Sequence, residues 1–476
     1  MFRVFTIGLK SCKFWLFFLI FSSVGLCSLQ AEGEGSVLDR LRHHIHAANT
    51  VELGRELREL VGRSITLQEV QSLAREEHYA PLIAAAKATE ACLNLNTRIG
   101  MSASELLQVA FFIEARLPQF IDEKKYYLTA KETGLPRSIE YDPETGYRFI
   151  HLEMNNVPCI GGGAKKLVTK SILYDENKPE VLARCEQTAK IEKEVKIAKK
   201  LQDVPGIVET RAYTQRIEKR VKYHTLFCKL YEPGSIADVM NDASYKFTLK
   251  EKLFIALNIV KGLEGMQKKG IVHKDLHVHN YFVNITKNKV TRKRDIEVVI
   301  ADLGCASFSK KTKKVRAQGD SAFTAPEGFL NKLKGKDYYR TDLFAVGCLL
   351  YRILYEKKPD WQESEYPKHA KTALLRYRRL FSLVEGATHA RRDELQTKEE
   401  RGMALRPKEQ FELLILRMVH PSPLERPTAT EVRKQLERTL KQAHSSISSG
   451  ALNFNLCYQS SEKARFATDV QVELCA

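Results

Sequence analysis

Apolar residues recur three and four apart from residue 36 to about residue 125. Leu38, Leu41 and Ile45 begin the series, Val51, Leu53, Leu57, Leu60 and Val61 extend it, and Leu67, Val70 and Leu73 come next. Residues 80–93 and 103–117 keep the same spacing, the period of a helix with one buried face. An all-helical region is predicted over 36–125, as a separate domain or as helices packed on the rest of the chain, and none of its residues forms a motif that carries chemistry. The period then shortens. Residues 138–141 and 147–152 flank Pro143-Glu144-Thr145-Gly146 and predict a β-hairpin. Strands are expected at 181–186, 226–232 and 296–300, and a strongly charged helix at 188–201. Beyond residue 440 the chain turns Ser-rich and loses periodicity, so 443–476 is expected to be a flexible tail.

Residues 1–31 fit neither pattern. Arg3, Lys10 and Lys13 precede a nearly unbroken apolar run over 14–29, and Leu29-Gln30-Ala31 offers a weak small-residue cleavage site. The segment reads as a secretory signal peptide or a short uncleaved membrane anchor. Basic residues before the run and acidic ones after it favour the N-terminus staying inside while the rest crosses. The protein is therefore expected to be exported or membrane-anchored, with this segment engaging a membrane or the export machinery.

The 476 residues carry a formal net charge of +18. That balance favours acidic partners. The excess is scattered, however, over 292–294, 310–316, 376–379 and 391–392, and Tyr377 is the single aromatic among these runs, so no interleaved series is present to stack bases. Solvated faces account for it, and no nucleic acid partner is expected. The ten cysteines show no C-x-x-C spacing, so neither zinc nor a disulfide framework is indicated. Cys185, Cys228, Cys305 and Cys348 fall in apolar segments and read as small buried hydrophobes with free thiols.

The chemistry-bearing stretch is 271–283, Ile-Val-His-Lys-Asp-Leu-His-Val-His-Asn-Tyr-Phe-Val. Phosphoryl transfer needs a carboxylate to take the attacking hydroxyl's proton and an amide oxygen to hold Mg²⁺. Asp275 and Asn280 provide such a pair in one polar loop between apolar flanks. The run 296–300 ends in Ala301-Asp302-Leu303-Gly304, a carboxylate at a strand end suited to a second metal ligand. Ala325-Pro326-Glu327, Asp342 to Gly347 and Arg426-Pro427-Thr428 come after it in order. In order and spacing these motifs resemble the eukaryotic-type protein kinases, and the resemblance covers about 157–441. It implies an α+β bilobal fold, a small mostly antiparallel β lobe and a large helical lobe with the ligand cleft between, over 138–442 (smaller lobe to about 230, larger lobe 235–442). It also implies ATP and Mg²⁺ as cofactors, Asp275 as catalytic base, Asn280 and Asp302 as metal ligands, Glu327 as partner of Arg426, and Asp342 as support for the catalytic-loop backbone.

Two departures define the upper lobe. The glycine strand reads Ile160-Gly161-Gly162-Gly163-Ala164-Lys165-Lys166-Leu167-Val168, with Lys166 where the family has its third glycine. The strand Val181-Leu182-Ala183-Arg184-Cys185-Glu186 carries Cys185 where the phosphate-binding lysine is usual. Together these resemble the with-no-lysine kinases, in which that lysine sits in the glycine strand. An ammonium acts as a point charge and can reach phosphates from an adjacent strand. Lys166 takes the role, Arg184 is the second choice, and a pseudokinase that has lost the lysine is the rival. Glu194 resembles the helix carboxylate that pairs with the lysine. Gly161, Gly162, Gly163, Val168 and Ala183 are expected to line the nucleotide, with hinge backbone at Lys229 to Tyr231 on adenine.

In Ser/Thr kinases a Lys usually stands two residues after the base and a Thr just after the Gly of the loop before A-P-E. Here His277 and Asp320 occupy those places, so His277 is expected to act beside Asp275 and to make activity fall at acid pH. Asp-Leu-His is also similar to aminoglycoside and choline kinases, but those lack the peptide-platform elements around Glu327 and Asp342. Protein substrates and Ser/Thr hydroxyls are the expectation; a pseudokinase scaffold or a small-molecule phosphotransferase is the alternative. Ser307, Ser309, Thr312, Ser321 and Thr324 are candidate autophosphorylation sites.

Overall fold

The computed structural model describes residues 80–93, 95, 99–152, 160–163, 166–175, 178–189, 191–287, 294–309, 321–330, 337–363 and 372–448. The leader at 1–31, the helices expected before residue 80, Thr312, Asp320 and the segment after 448 lie outside them. Among the described residues no helix is long and apolar enough to cross a membrane. Two compact units form. One holds the described residues up to Gln202 together with Val208–Leu230; the other holds Asp203–Ile207 and the chain from Tyr231 onward.

The first unit opens with α1 (Ala80–Leu93) and α2 (Ala103–Ala115). Ser102 caps α2 and Glu105 returns the bond to the Ser102 amide, satisfying N–H groups that a helix start leaves open. The strands are β1 (Tyr127–Leu128), β2 (Ile139–Tyr141), β3 (Arg148–His151), β4 (Gly161–Gly163), β5 (Lys166–Tyr174) and β6 (Glu180–Gln187). After α3 (Glu192–Leu201) come β7 (Thr210–Glu218) and β8 (Val221–Lys229). The sheet runs β1-β2-β3-β5-β6-β8-β7, with β4 also paired to β5.

The predicted hairpin is β2–β3, and it joins this sheet directly through β3 and β5. Alternation puts Leu128, Ile139, Ile150, Ile172 and Tyr174 in one buried cluster with Ala85, Ala88, Leu106 and Phe112 of the two helices. The described N-terminal helices thus share the sheet's core. α3 covers Leu226, Cys185, Tyr213 and Cys228 through Ile191 and Val195. The other face curls on itself: Phe149 of β3 stacks on Phe227 of β8 at 3.8 Å, and Arg216 of β7 lies 4.4 Å from the Tyr127 ring of β1. A polar group fills part of that curl. His151 Nε2 lies 3.1 Å from Glu140 Oε2. Burial raises the Glu140 pKa, but His151 and Arg184 outweigh it and hold the carboxyl below its ordinary value.

The second unit continues with β9 (Pro233–Ser235), α4 (Ile236–Asn241), α5 (Leu249–Lys268), β10 (Ile271–Val272), β11 (Tyr281–Lys287), β12 (Arg294–Ile300) and β13 (Ser307–Phe308). Its later helices are α6 (Asp337–Tyr355), α7 (Ala373–Glu400), α8 (Pro407–Met418) and α9 (Ala429–Ser448). α9 runs past residue 442, into the Ser-rich segment. α5 is the central element: Leu253, Ile255, Ala256, Ile259, Val260, Leu263 and Met266 are all fully buried. Its Gly262 meets Gly206, where an added Cβ would stand 2.6 Å from the Gly206 carbonyl oxygen. That close approach lets the same carbonyl accept the Ile300 N–H at 2.8 Å. The end of β12, just before Asp302, is fixed in this way.

Candidate active site

In the second unit the loop between β10 and β11 is held by its backbone. Asp342, buried in α6, accepts the N–H groups of His273 and Lys274, each at 2.8 Å. Burial raises the Asp342 pKa, and the amide bonds and charges of His273 and Lys274 oppose that rise. Lys274 takes a left-handed φ of 71°, a region that non-glycine residues enter uncommonly. His273, fully buried, accepts the Asp275 N–H at Nδ1 (3.4 Å) and donates from Nε2 to the Ala301 carbonyl at 2.9 Å. The Ala301 N–H in turn donates to the Asn280 carbonyl at 2.9 Å. The residue before Asp302 is therefore bonded on both sides to the loop that carries Asp275 and Asn280.

Those bonds bring Asp275, Asn280 and Asp302 together. Asn280 Nδ2 donates to the Asp275 carbonyl at 2.8 Å, which orients the amide. Asp302 has φ 55°, and such strained conformations concentrate at functional sites. Asp275 Oδ1 is buried and accepts no hydrogen bond; His277 Nε2 stands 3.7 Å from it. His277 Nδ1 accepts the His279 N–H at 3.3 Å, so Nε2 is the protonated nitrogen facing the carboxylate. Burial first, then the charges of Asp275 and Asp302, push the Cys305 thiol up to about 11. The oriented Asn280 amide and the Asp302 carboxylate fit a magnesium ion bound through few protein oxygens, and the buried Asp275 Oδ1 is left to accept a proton.

In the first unit β4 and β5 form the predicted glycine hairpin, with Gly163 opposite Lys166 and Gly161 opposite Val168. β5 and β6 then set the register. Val168 faces Cys185, and Lys166 faces Gln187. Opposed residues share a face, so Val168, Ala183 and Cys185 lie on the α3 side. Lys166 Nζ comes within 3.8 Å of Glu194 Oε1 on α3, and Glu194 is only 7% exposed. Arg184, the second choice, points to the opposite face: its guanidinium is buried and pairs with Glu186, which also takes Arg216.

Several expectations are corrected. α3 starts at Glu192 rather than near 188, because Ile191 occupies the cap and makes no side-chain bond. The Lys229 N–H donates to the Glu209 carbonyl at 2.9 Å, which removes that N–H, one group of the expected hinge backbone, as an adenine donor. Ser307 and Ser309 are buried, and Ser309 Oγ accepts from Tyr339 at 3.2 Å, so neither is an accessible phosphoacceptor. Cys185, Cys228 and Cys305 are half-buried rather than core. Two residues were missed: His273, whose two ring nitrogens tie the loop to Ala301, and Gln187, which donates to Glu194 Oε2 at 3.4 Å. Counting two along the strand from Cys185 would have placed Gln187 on the α3 side.

Glu327 and Arg426 form the expected pair, with Nη1–Oε1 2.6 Å and Nη2–Oε2 2.9 Å. Comparison with known proteins agrees with this architecture. The protein kinase domain model matches residues 162–436, more than half of the chain. Among curated relatives, the chain is 26% identical over 205 residues to calcium-dependent protein kinase 27 of Arabidopsis thaliana, covering 42% of this chain and 38% of that one. It is 30% identical over 128 residues to human 3-phosphoinositide-dependent protein kinase 1, covering 26% and 21%. It is 26% identical over 175 residues to mitogen-activated protein kinase kinase kinase 17 of Arabidopsis thaliana, covering 37% and 44%. The chain spans less than half the length of each of these relatives. On the family match, the motif order and the two-unit architecture, this chain belongs to the protein kinase family.

Proposed function

We propose that the protein transfers the γ-phosphoryl group of ATP to Ser or Thr hydroxyls of protein substrates, with Lys166 as the phosphate-binding cation. The observation that carries the reading is Lys166 Nζ 3.8 Å from Glu194 Oε1, while Cys185 holds the lysine's usual place. Asn280 and Asp302 would hold Mg²⁺, which when bound neutralises phosphate charge. Asp275 orients the acceptor hydroxyl and takes its proton at Oδ1, with His277 Nε2 3.7 Å from that oxygen. Gly161–Gly163 let backbone N–H groups approach phosphate without Cβ interference. Protein acceptors are favoured by the Glu327–Arg426 brace and by relatives named as protein kinases; Ser/Thr is favoured by relatives such as probable serine/threonine-protein kinase DDB_G0281745 of Dictyostelium discoideum.

The test incubates the full chain with labelled ATP, Mg²⁺ and a generic protein acceptor, beside Asp302→Ala and Lys166→Met. Label on phosphoserine or phosphothreonine, lost in both variants, is the expected result. Label on a soluble metabolite alone selects a small-molecule kinase. No transfer by the wild type selects a non-catalytic scaffold.

A further inference from the structure

The geometry points to Gln187 as the residue that positions Glu194 for Lys166, an inference that rests on the role proposed above for Lys166. In the β5–β6 ladder Lys166 is opposite Gln187, and Cys185 is opposite Val168. Directly opposed residues hold their Cβ atoms about 5 Å apart on one face. The ammonium and the carboxamide therefore stand at one level of the sheet and reach the same carboxylate. Lys166 Nζ is 3.8 Å from Oε1 and Gln187 Nε2 is 3.4 Å from Oε2.

A neutral donor on one oxygen of a buried carboxylate favours the rotamer that leaves the other oxygen facing the cation. The neutral amide is the residue type this task requires. A second ammonium at 187 would compete with Lys166 for Glu194, and a carboxylate would repel it. Strand alternation removes the neighbouring candidate, since Glu186 faces the other way and pairs with Arg184 and Arg216. On β8 the cross-strand neighbour of Gln187 is His224, whose Nδ1 meets the Tyr213 hydroxyl at 2.7 Å. A lysine at position 185 would stand one strand over and two positions along from Lys166; the amide at 187 matches the displaced cation. Gln187 is a positioning residue, acting on nucleotide through Glu194 and Lys166.

The test measures Mg·ATP affinity by titration calorimetry, with kcat and the unfolding midpoint alongside, for the full chain and for Gln187→Met, Gln187→Leu and Gln187→Glu. The same Gln187→Met change is also made in a Glu194→Gln background. Removing the donor weakens Mg·ATP binding about fivefold, the scale of the net contribution of one hydrogen bond; Gln187→Glu weakens it further, and the unfolding midpoint barely moves. In the Glu194→Gln background Gln187→Met has no further effect, since the group it positions is gone. Equal losses in both backgrounds, or wild-type affinity in Gln187→Met, Gln187→Leu or Gln187→Glu, overturn the assignment of Gln187 while leaving Lys166 in place. A wild type that neither binds Mg·ATP nor transfers phosphate overturns the kinase reading and this inference with it.

Discussion

Lys166 and Glu194 meet within 3.8 Å although one lies on the glycine strand and the other on the helix beyond β6. Cys185, between them in the sheet, is opposite Val168 and two positions along from the Lys166 level. Two residues of strand span about 6.8 Å, an offset that a lysine side chain can bridge. On the role proposed for Lys166, the cation is displaced along the sheet and still meets the α3 carboxylate. Lys166→Met is expected to lower kcat/KM by about 100-fold or more, the loss seen when a preorganised charge at a phosphoryl group is removed. Adding Cys185→Lys to that variant should restore about tenfold. Steady-state transfer to a protein acceptor checks both, and a double variant no better than Lys166→Met shows that the two positions are not interchangeable.

His277 faces Asp275 through its Nε2 hydrogen because its Nδ1 accepts the His279 N–H. Protonation of the imidazole removes that acceptor and places a full positive charge 3.7 Å from the Asp275 carboxylate proposed to take the hydroxyl's proton. Transfer should therefore fall as pH drops through the range where imidazoles titrate, near 6.5. His277→Lys carries its charge across the whole range and should flatten this acid limb of the kcat profile between about pH 5.5 and 8. An unchanged limb in His277→Lys would falsify the role.

How far the sequence could be read is visible at particular residues. The hairpin β2–β3, the glycine strand and the loop with Asp275 and Asn280 were legible because period, turn residues and spacing are local. Glu194 was reached through the resemblance, from its place seven residues before Leu201, and it does approach Lys166. The partnership of Lys166 with Gln187 was not, because register is set by pairing between distant strands and a one-residue slip reverses every face. Tyr127–Leu128 is too short to show alternation, yet it ends the sheet. The start of α3 was placed four residues early because Ile191 carries no capping signal. Burial of Ser307 and Ser309 comes from β13 pairing with β10, a non-local contact that composition does not reveal.

Arg426 has no exposed side-chain surface and makes five bonds: two to Glu327, and one each to the carbonyls of His420, Arg340 and Pro421. Removing one member strands the other charge in the interior. Glu327→Gln or Arg426→Met should cost about 3–5 kcal/mol in folding stability. The two changes together should cost less than the sum of the singles, because no unpaired charge remains. Denaturant midpoints of the singles and the double measure this; strictly additive losses would mean the pair is not the source of the cost.

Glu412 of α8 joins three helices. It takes Nε and Nη2 of Arg391 on α7 at 2.9 and 2.8 Å, and the Tyr355 hydroxyl of α6. Burial alone would raise its pKa, but the bonds from Arg391 and Tyr355 outweigh burial and hold the carboxyl below its ordinary value of 4.5. A carboxyl whose folded pKa lies below the unfolded one stabilises the fold above the unfolded pKa, and that contribution disappears as pH falls through the folded pKa. Arg391 is more than a third exposed, so solvent screening limits the contribution to about 1 kcal/mol. Glu412→Gln should therefore lower the unfolding midpoint at pH 7, and its gap to wild type should narrow as pH falls below the ordinary carboxyl value of 4.5, where the wild-type carboxylate takes up its proton. Thermal unfolding of both proteins across that window checks the sign. A gap that stays constant with pH would show that Glu412 holds α6, α7 and α8 together by shape rather than by charge.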